Sequence, residues 1–191
     1  MLQELFQRFA RYNAWANRRL YAACAELDPA EYHRQRPAFF GSIHRTLNHI
    51  LVADRLWVAR IEGRTPPALA LDTELYPTLP ELRAAREAED AGLLALVDGL
   101  DEAALVRKVS YRTIKGEPYT DDVATILQHT FNHHTHHRGQ VHDMLVATPV
   151  PPPRSTSPTS SARTTRLSAE PDGPRSGPLR SPAPACGAPP P

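Results

Sequence analysis

Apolar and charged residues alternate with a helical period from Met1 to about Thr148, and the pattern breaks three times. In residues 2–27, Leu2, Leu5, Phe9, Tyr12, Ala16, Leu20, Ala23 and Leu27 recur at steps of three and four, which predicts one long helix with a single buried stripe. A second helix begins after Ser42, a good N-cap, carries Ile43, Leu47, Ile50 and Trp57 on its apolar face, and stops at Gly63 before Pro66 and Pro67. A third opens at "TLPEL", where Thr78, Pro80 and Glu81 form a capping box, and runs to about Leu100. Next comes "VRKVSYRTIKGEPYT", in which Val109, Tyr111 and Thr113 alternate and Lys115-Gly116 signals a turn, so a short extended segment or hairpin is expected. Thr120 is the expected cap of a fourth helix, with Asp121 and Asp122 at its positive end, continuing to about Ala147. Four long helices without a substantial sheet predict an all-α, antiparallel four-helix bundle. Its links, about fifteen to twenty residues long, exceed the bundle norm and are expected to cross the bundle or to build a rim around a site.

The pattern ends at residue 148. Residues 149–191 hold thirteen of the chain's twenty prolines, no aromatics, and only Val150, Leu167 and Leu179 as large aliphatics. Such a segment buries too little apolar surface to offset its ordering entropy, so a bundle domain over 1–148 and a disordered Pro/Ser/Arg-rich tail over 149–191 are expected. A GC-rich gene read out of frame would give the tail's composition; a natural Pro-rich tail is the alternative.

Charge and cysteine content narrow the function classes. The net charge is +1 for the whole chain and about −2 for the first 148 residues, which is no footprint for nucleic acid. Cys24 and Cys186 are too few for a disulfide framework and fit a reducing cytoplasm; Cys24 reads as inert core packing. No apolar run is long enough to span a membrane.

Candidate chemistry sits in "HTFNHHTHHRGQ", residues 129–140, which holds five of the nine histidines. On a helical wheel His134 and His137 fall on the apolar face shared by Ile126, Thr130, Val141 and Met144, and His133 falls at its margin. His129 and His136 lie on the rim, solvated or supporting, and His142 on the water side. His133 and His137, at i and i+4, are spaced to share one cation; His134 and His137 are a rival pair. A zinc-protease helix would place Glu at position 134, where this chain has His, so that chemistry is rejected. A third ligand is best supplied by His49 from the second helix, with His44 and His33 as weaker candidates. Several neutral imidazoles buried without partners would cost about 1–3 kcal/mol each, which favours a metal site. Asp54 and Asn48 are candidates for a base behind the site, and a polar pair on the helix surface is the reading preferred for both.

The segments "YNAWANRRL", "FFGSIHRTLNHILVADRLW", "SYRTIKGEPYT" and "HTFNHHTHHRGQVHDML" resemble the DinB/YfiT-like family of bacterial metal-binding bundles over about residues 1–147. The resemblance implies a four-helix bundle, often a homodimer, in which His49, His133 and His137 hold a divalent metal such as zinc, nickel or iron. It also implies a thiol-dependent transferase or isomerase using bacillithiol, mycothiol or a similar small thiol, with a small-molecule substrate. A non-catalytic metal-binding stress-response bundle and a metal-hydroxide hydrolase are the competing expectations. Relatives usually close the bundle with an ordered C-terminal segment, which the Pro-rich tail replaces here.

Overall fold

The computed structural model of the chain describes residues 1–113, 115–154 and 156. Its elements are α1 (Leu2–Cys24), α2 (Pro29–His33), α3 (Ile43–Ile61), α4 (Leu79–Asp98), α5 (Glu102–Leu105), β1 (Lys108–Arg112), β2 (Pro118–Asp122) and α6 (Val123–Val146). Three of the four long helices start on a side-chain acceptor that satisfies an orphan backbone N–H. Ser42 Oγ accepts from Arg45 N at 3.1 Å, Thr78 Oγ1 from Glu81 N at 3.4 Å, and Asp122 Oδ1 from Thr125 N at 2.7 Å. The expected cap at Thr120 is therefore corrected to Asp122. Thr120 lies in β2, where its hydroxyl meets that of Ser110 at 2.9 Å across the antiparallel hairpin. At the start of α1, Glu102 Oε1 takes the backbone N–H groups of Leu2 and Gln3.

The four long helices form the bundle, with α1 packed on α4 and α6, and α3 packed on α6 and α4. Contacts along their length give the directions. Asn13 and Asn17 meet Asp90, while Tyr21, further along α1, approaches Arg86, earlier in α4, so α1 and α4 are antiparallel. His49 meets His133 and His137, and Trp57 meets His129, so α3 and α6 are antiparallel. Along α1 and α6 the contacts advance together, from Phe6 on Phe131 to Asn13 on Arg138, so these two neighbours run the same way.

The second half of the expected stripe is buried as read, at Ala16, Leu20, Ala23 and Leu27, but in the first half the buried line is displaced by one position: Phe6, Ala10 and Asn13 are buried, while Leu5 and Phe9 remain 42 % and 40 % exposed. Two asparagines on the true core face hid it from a reading that counts only apolar residues. They belong to a polar layer. One apolar cluster around Leu20, Leu47, Leu51, Leu82 and Leu145 fills one end of the bundle. Another around Phe6, Ile61, Leu93, Leu127 and Phe131 fills the other. Between them lie Asn13, Asn17, Asp54, Arg86, Asp90, His134 and Arg138, all buried.

Residues 149–154 and 156 of the expected tail are described. Val150 packs on the first apolar cluster, and Pro153, Arg154 and Thr156 line a small cavity with Tyr12 and His142. His142, expected in water, is thereby half-buried. The remainder of 149–191, with the expectations of disorder and of an out-of-frame origin, lies outside the described residues. No helix among the described residues is long and apolar enough to cross a membrane.

Candidate metal centre

Helix α3 supplies His49, and successive turns of α6 supply His133 and His137. Each offers a ring nitrogen, and the three atoms lie within 4.8 Å of one another. The Nε2 atoms of His49 and His133 are 3.0 Å apart. Both rival placements fail: His134 turns into the polar layer, and His44 is fully buried elsewhere, between Tyr32 and Glu74. His33 ends α2 and its ring lies against that of His44, centroids 4.3 Å apart, away from the trio.

What makes the trio a donor set is the chemistry behind it. His49 Nδ1 lies 2.8 Å from the carbonyl oxygen of Leu71, which can only accept, so the proton sits on Nδ1 and the lone pair is on Nε2. His137 Nδ1 donates likewise to Gln140 Oε1 at 2.7 Å. On its other side Gln140 Nε2 faces His136 Nε2 at 3.1 Å and can donate to it. Such outer partners hold a ligand's tautomer and ring orientation. Gln140→Ala is therefore expected to weaken divalent-cation affinity roughly 10-fold or more with little change in fold stability, as read by competition against a chromogenic chelator.

Burial lowers the His49 pKa. It pulls His133 down to about 3, assisted by the neighbouring His137 and His49 rings. Burial also brings His137 down to about 4, against the opposing pull of its bond to Gln140. All three rings are thus neutral at pH 7, the form that ligates. Phe40 stacks on His49, ring centroids 4.0 Å apart, and shields the cluster on one side. Gly41, at φ +78°, makes the turn behind it; a Cβ there would meet Gln35 at 2.5 Å.

The long links serve this site. Since α3 and α4 run the same way, residues 62–78 must travel back along α3, and they pass His49 midway. Asn48 pins this return: its Oδ1 accepts from Tyr76 N at 3.1 Å and its Nδ2 donates to Tyr76 O at 3.3 Å. Glu74 is held by His44 at 2.7 Å. Asn48 is thus buried beneath a strap rather than on the surface. Asp54 is also buried, accepting from His134 Nε2 and Arg86 Nη1, each at 2.5 Å. Both depart from the expected surface pair.

On the side away from Phe40, His49 and His133 form part of the wall of a cavity of about 630 Å³, between α3, α6 and the hairpin. Leu56, Trp57, Ile126 and Tyr111 give it apolar walls, and His129 lines it too. Burial, then Arg60, lowers the His129 pKa. Cys24 is fully buried, its thiol pushed up to about 12 by burial, in keeping with inert packing.

Gln140 was legible in principle, as an amide at i+3 from His137. The Leu71 carbonyl carried no side-chain signal. The polar layer was hidden because its members are spread over α1, α3, α4 and α6.

Comparison with known proteins finds a family and a relative. The model of the family described as DinB family matches residues 1–165. The chain is similar to Protein DinB of Bacillus subtilis (strain 168), 30 % identical over 144 residues, which cover 70 % of this chain and 80 % of that protein.

Proposed function

From its membership of the DinB family, together with the site's geometry, we propose that this chain is a metal-dependent transferase that joins the sulfur of a small thiol to an electrophilic carbon, the leaving group departing with its bonding pair. One observation carries this reading: three imidazole nitrogens converge, two of the rings are oriented by Nδ1 partners, and His49 and His133 line a cavity sized for a small molecule. A purely structural metal is normally enclosed by protein ligands on all sides, whereas three ligands beside a cavity leave a position for substrate.

His49, His133 and His137 would hold the cation. When bound, a divalent metal such as zinc, nickel or iron supplies a Lewis acid that favours the anionic, nucleophilic form of a thiol at neutral pH. The chain's own residues do the rest. Leu71 O and Gln140 keep two ligand rings oriented. Leu56, Trp57 and Ile126 exclude water from the reacting groups. A homodimer belongs to the same proposal, supported by the exposed Leu5 and Phe9 on α1.

The test uses the full-length protein, its metal identified by elemental analysis. Conjugation of bacillithiol, mycothiol or glutathione to 1-chloro-2,4-dinitrobenzene is followed by absorbance. Metal-dependent turnover, lost on chelation and in His137→Ala, is the expected result. A metal-loaded protein inactive with every thiol would instead support the non-catalytic metal-binding bundle.

A further inference from the structure

Arg60, in the last turn of α3, lines the cavity beside His49 and His133. Its guanidinium lies 4.4 Å from the Trp57 ring centroid and 4.7 Å from that of Tyr111. One Nη2 donates to the Arg112 carbonyl at 3.0 Å. The Nε–H is buried and finds no acceptor among the described residues. Burial pulls the Arg60 pKa below its ordinary value, and the opposing influence comes from Tyr111 alone, with no carboxylate. Two acids line the same cavity, Glu117 and Asp121. Asp121 is engaged by the Tyr111 hydroxyl at 2.7 Å. Lys115 also lines the cavity, but it is exposed and its charge is screened by water.

A half-buried guanidinium that has no counter-ion among the described residues, and whose Nε–H is buried without an acceptor, loses part of its hydration, and its contacts with two rings recover only some of that cost. Its planar fork, held rigid by the rings, matches a carboxylate, phosphate or sulfonate. We propose, resting on the reading of this cavity as the substrate chamber, that it admits a ligand with an apolar body and a terminal anionic group, and that Arg60 selects the anion. The body lies against Leu56, Trp57 and Ile126, while the anion supplies the partner the guanidinium lacks. Arg60 is thereby a specificity-determining residue of the cavity.

Naphthalene-2-sulfonate and its neutral isostere methyl 2-naphthyl sulfone test this, by calorimetric titration of the full-length protein with and without divalent cation. The sulfonate is expected to bind the wild type about ten-fold or more tighter than the sulfone. In Arg60→Gln that preference is expected to vanish while sulfone affinity stays within about two-fold; Arg60→Lys keeps part of it. The preference should survive removal of the cation by chelation, which separates this result from the metal reading. Equal affinities in the wild type, or a preference undiminished in Arg60→Gln, would overturn the proposal even if the thiol conjugation succeeded. The wild-type comparison decides the matter if Arg60→Gln does not fold.

Discussion

Asp54→Ala is expected to destabilise the bundle by about 3–5 kcal/mol, because it leaves a buried guanidinium without its main counter-ion. Asp54 and Arg86 are 1 % and 2 % exposed. Burial alone would raise the Asp54 pKa, but His134 and Arg86 overcome it and hold the carboxyl well below its usual range. Burial likewise opposes the Arg86 charge, and Asp54 and Asp90 together keep it firmly protonated. Arg86 Nη2 lies 3.0 Å from Asp90 Oδ1 but outside hydrogen-bonding alignment, so that contact is electrostatic rather than a directed bond. Asp90, whose oxygens also accept from Asn13 and Asn17, would leave Arg86 with that undirected contact alone. His134 would lose its acceptor as well. Urea unfolding in the presence of chelator measures the loss without contribution from a cation. The double variant Asp54→Leu/Arg86→Met removes both charges and should be less destabilised than Asp54→Ala. A loss under about 1 kcal/mol in Asp54→Ala, the range of an exposed ion pair, would contradict the account.

Removing one of the three histidines proposed to hold the cation has the second large effect. His133→Ala is expected to weaken divalent-cation affinity by more than the roughly 10–100-fold typical of an outer partner. Chelator competition and the concentration dependence of the thermal midpoint both read it, since a cation bound only to the folded state raises stability by mass action. The pH dependence has a definite sign. In the folded protein His133 and His137 take up protons only near pH 3 and 4, against an ordinary value of 6.5. Cation affinity should therefore hold from neutrality down to about pH 5 and fall steeply below it, rather than fading from pH 6.5. The cation-free protein behaves differently. Between about pH 6.5 and 4 the unfolded chain binds more protons than the folded one, so its stability falls as the pH drops through that window. Fading of cation affinity already near pH 6.5 would contradict the burial of these rings.

How much of this was legible can be followed residue by residue. Ser42 and Thr78 were read as caps and act as caps, because an N-cap is decided by a side chain and a backbone N–H three residues apart. Thr120 was misread, because local chemistry alone did not show that the hairpin would claim it and leave Asp122 to cap. His133 and His137 were legible as a pair because one helix fixes their separation, and His49 was legible as their partner through its helical face and the family resemblance. His134 shared the apolar face yet serves another purpose, as its acceptor, Asp54, lies eighty positions away in the sequence. Polar side chains such as Asn48 and Asp54 usually face water; here each is buried with partners that satisfy it.

The sequence by itself determined the four long helices, the hairpin and the pairing of two imidazoles on α6, since these depend on contacts within a few residues. Only the tertiary structure decided which nitrogens carry lone pairs, why residues 62–78 are so long, and that Arg60 meets no counter-ion among the described residues. Those outcomes depend on carbonyls, rings and charges brought together from distant parts of the chain. Their partners share no period or spacing, so only the packed bundle makes them neighbours.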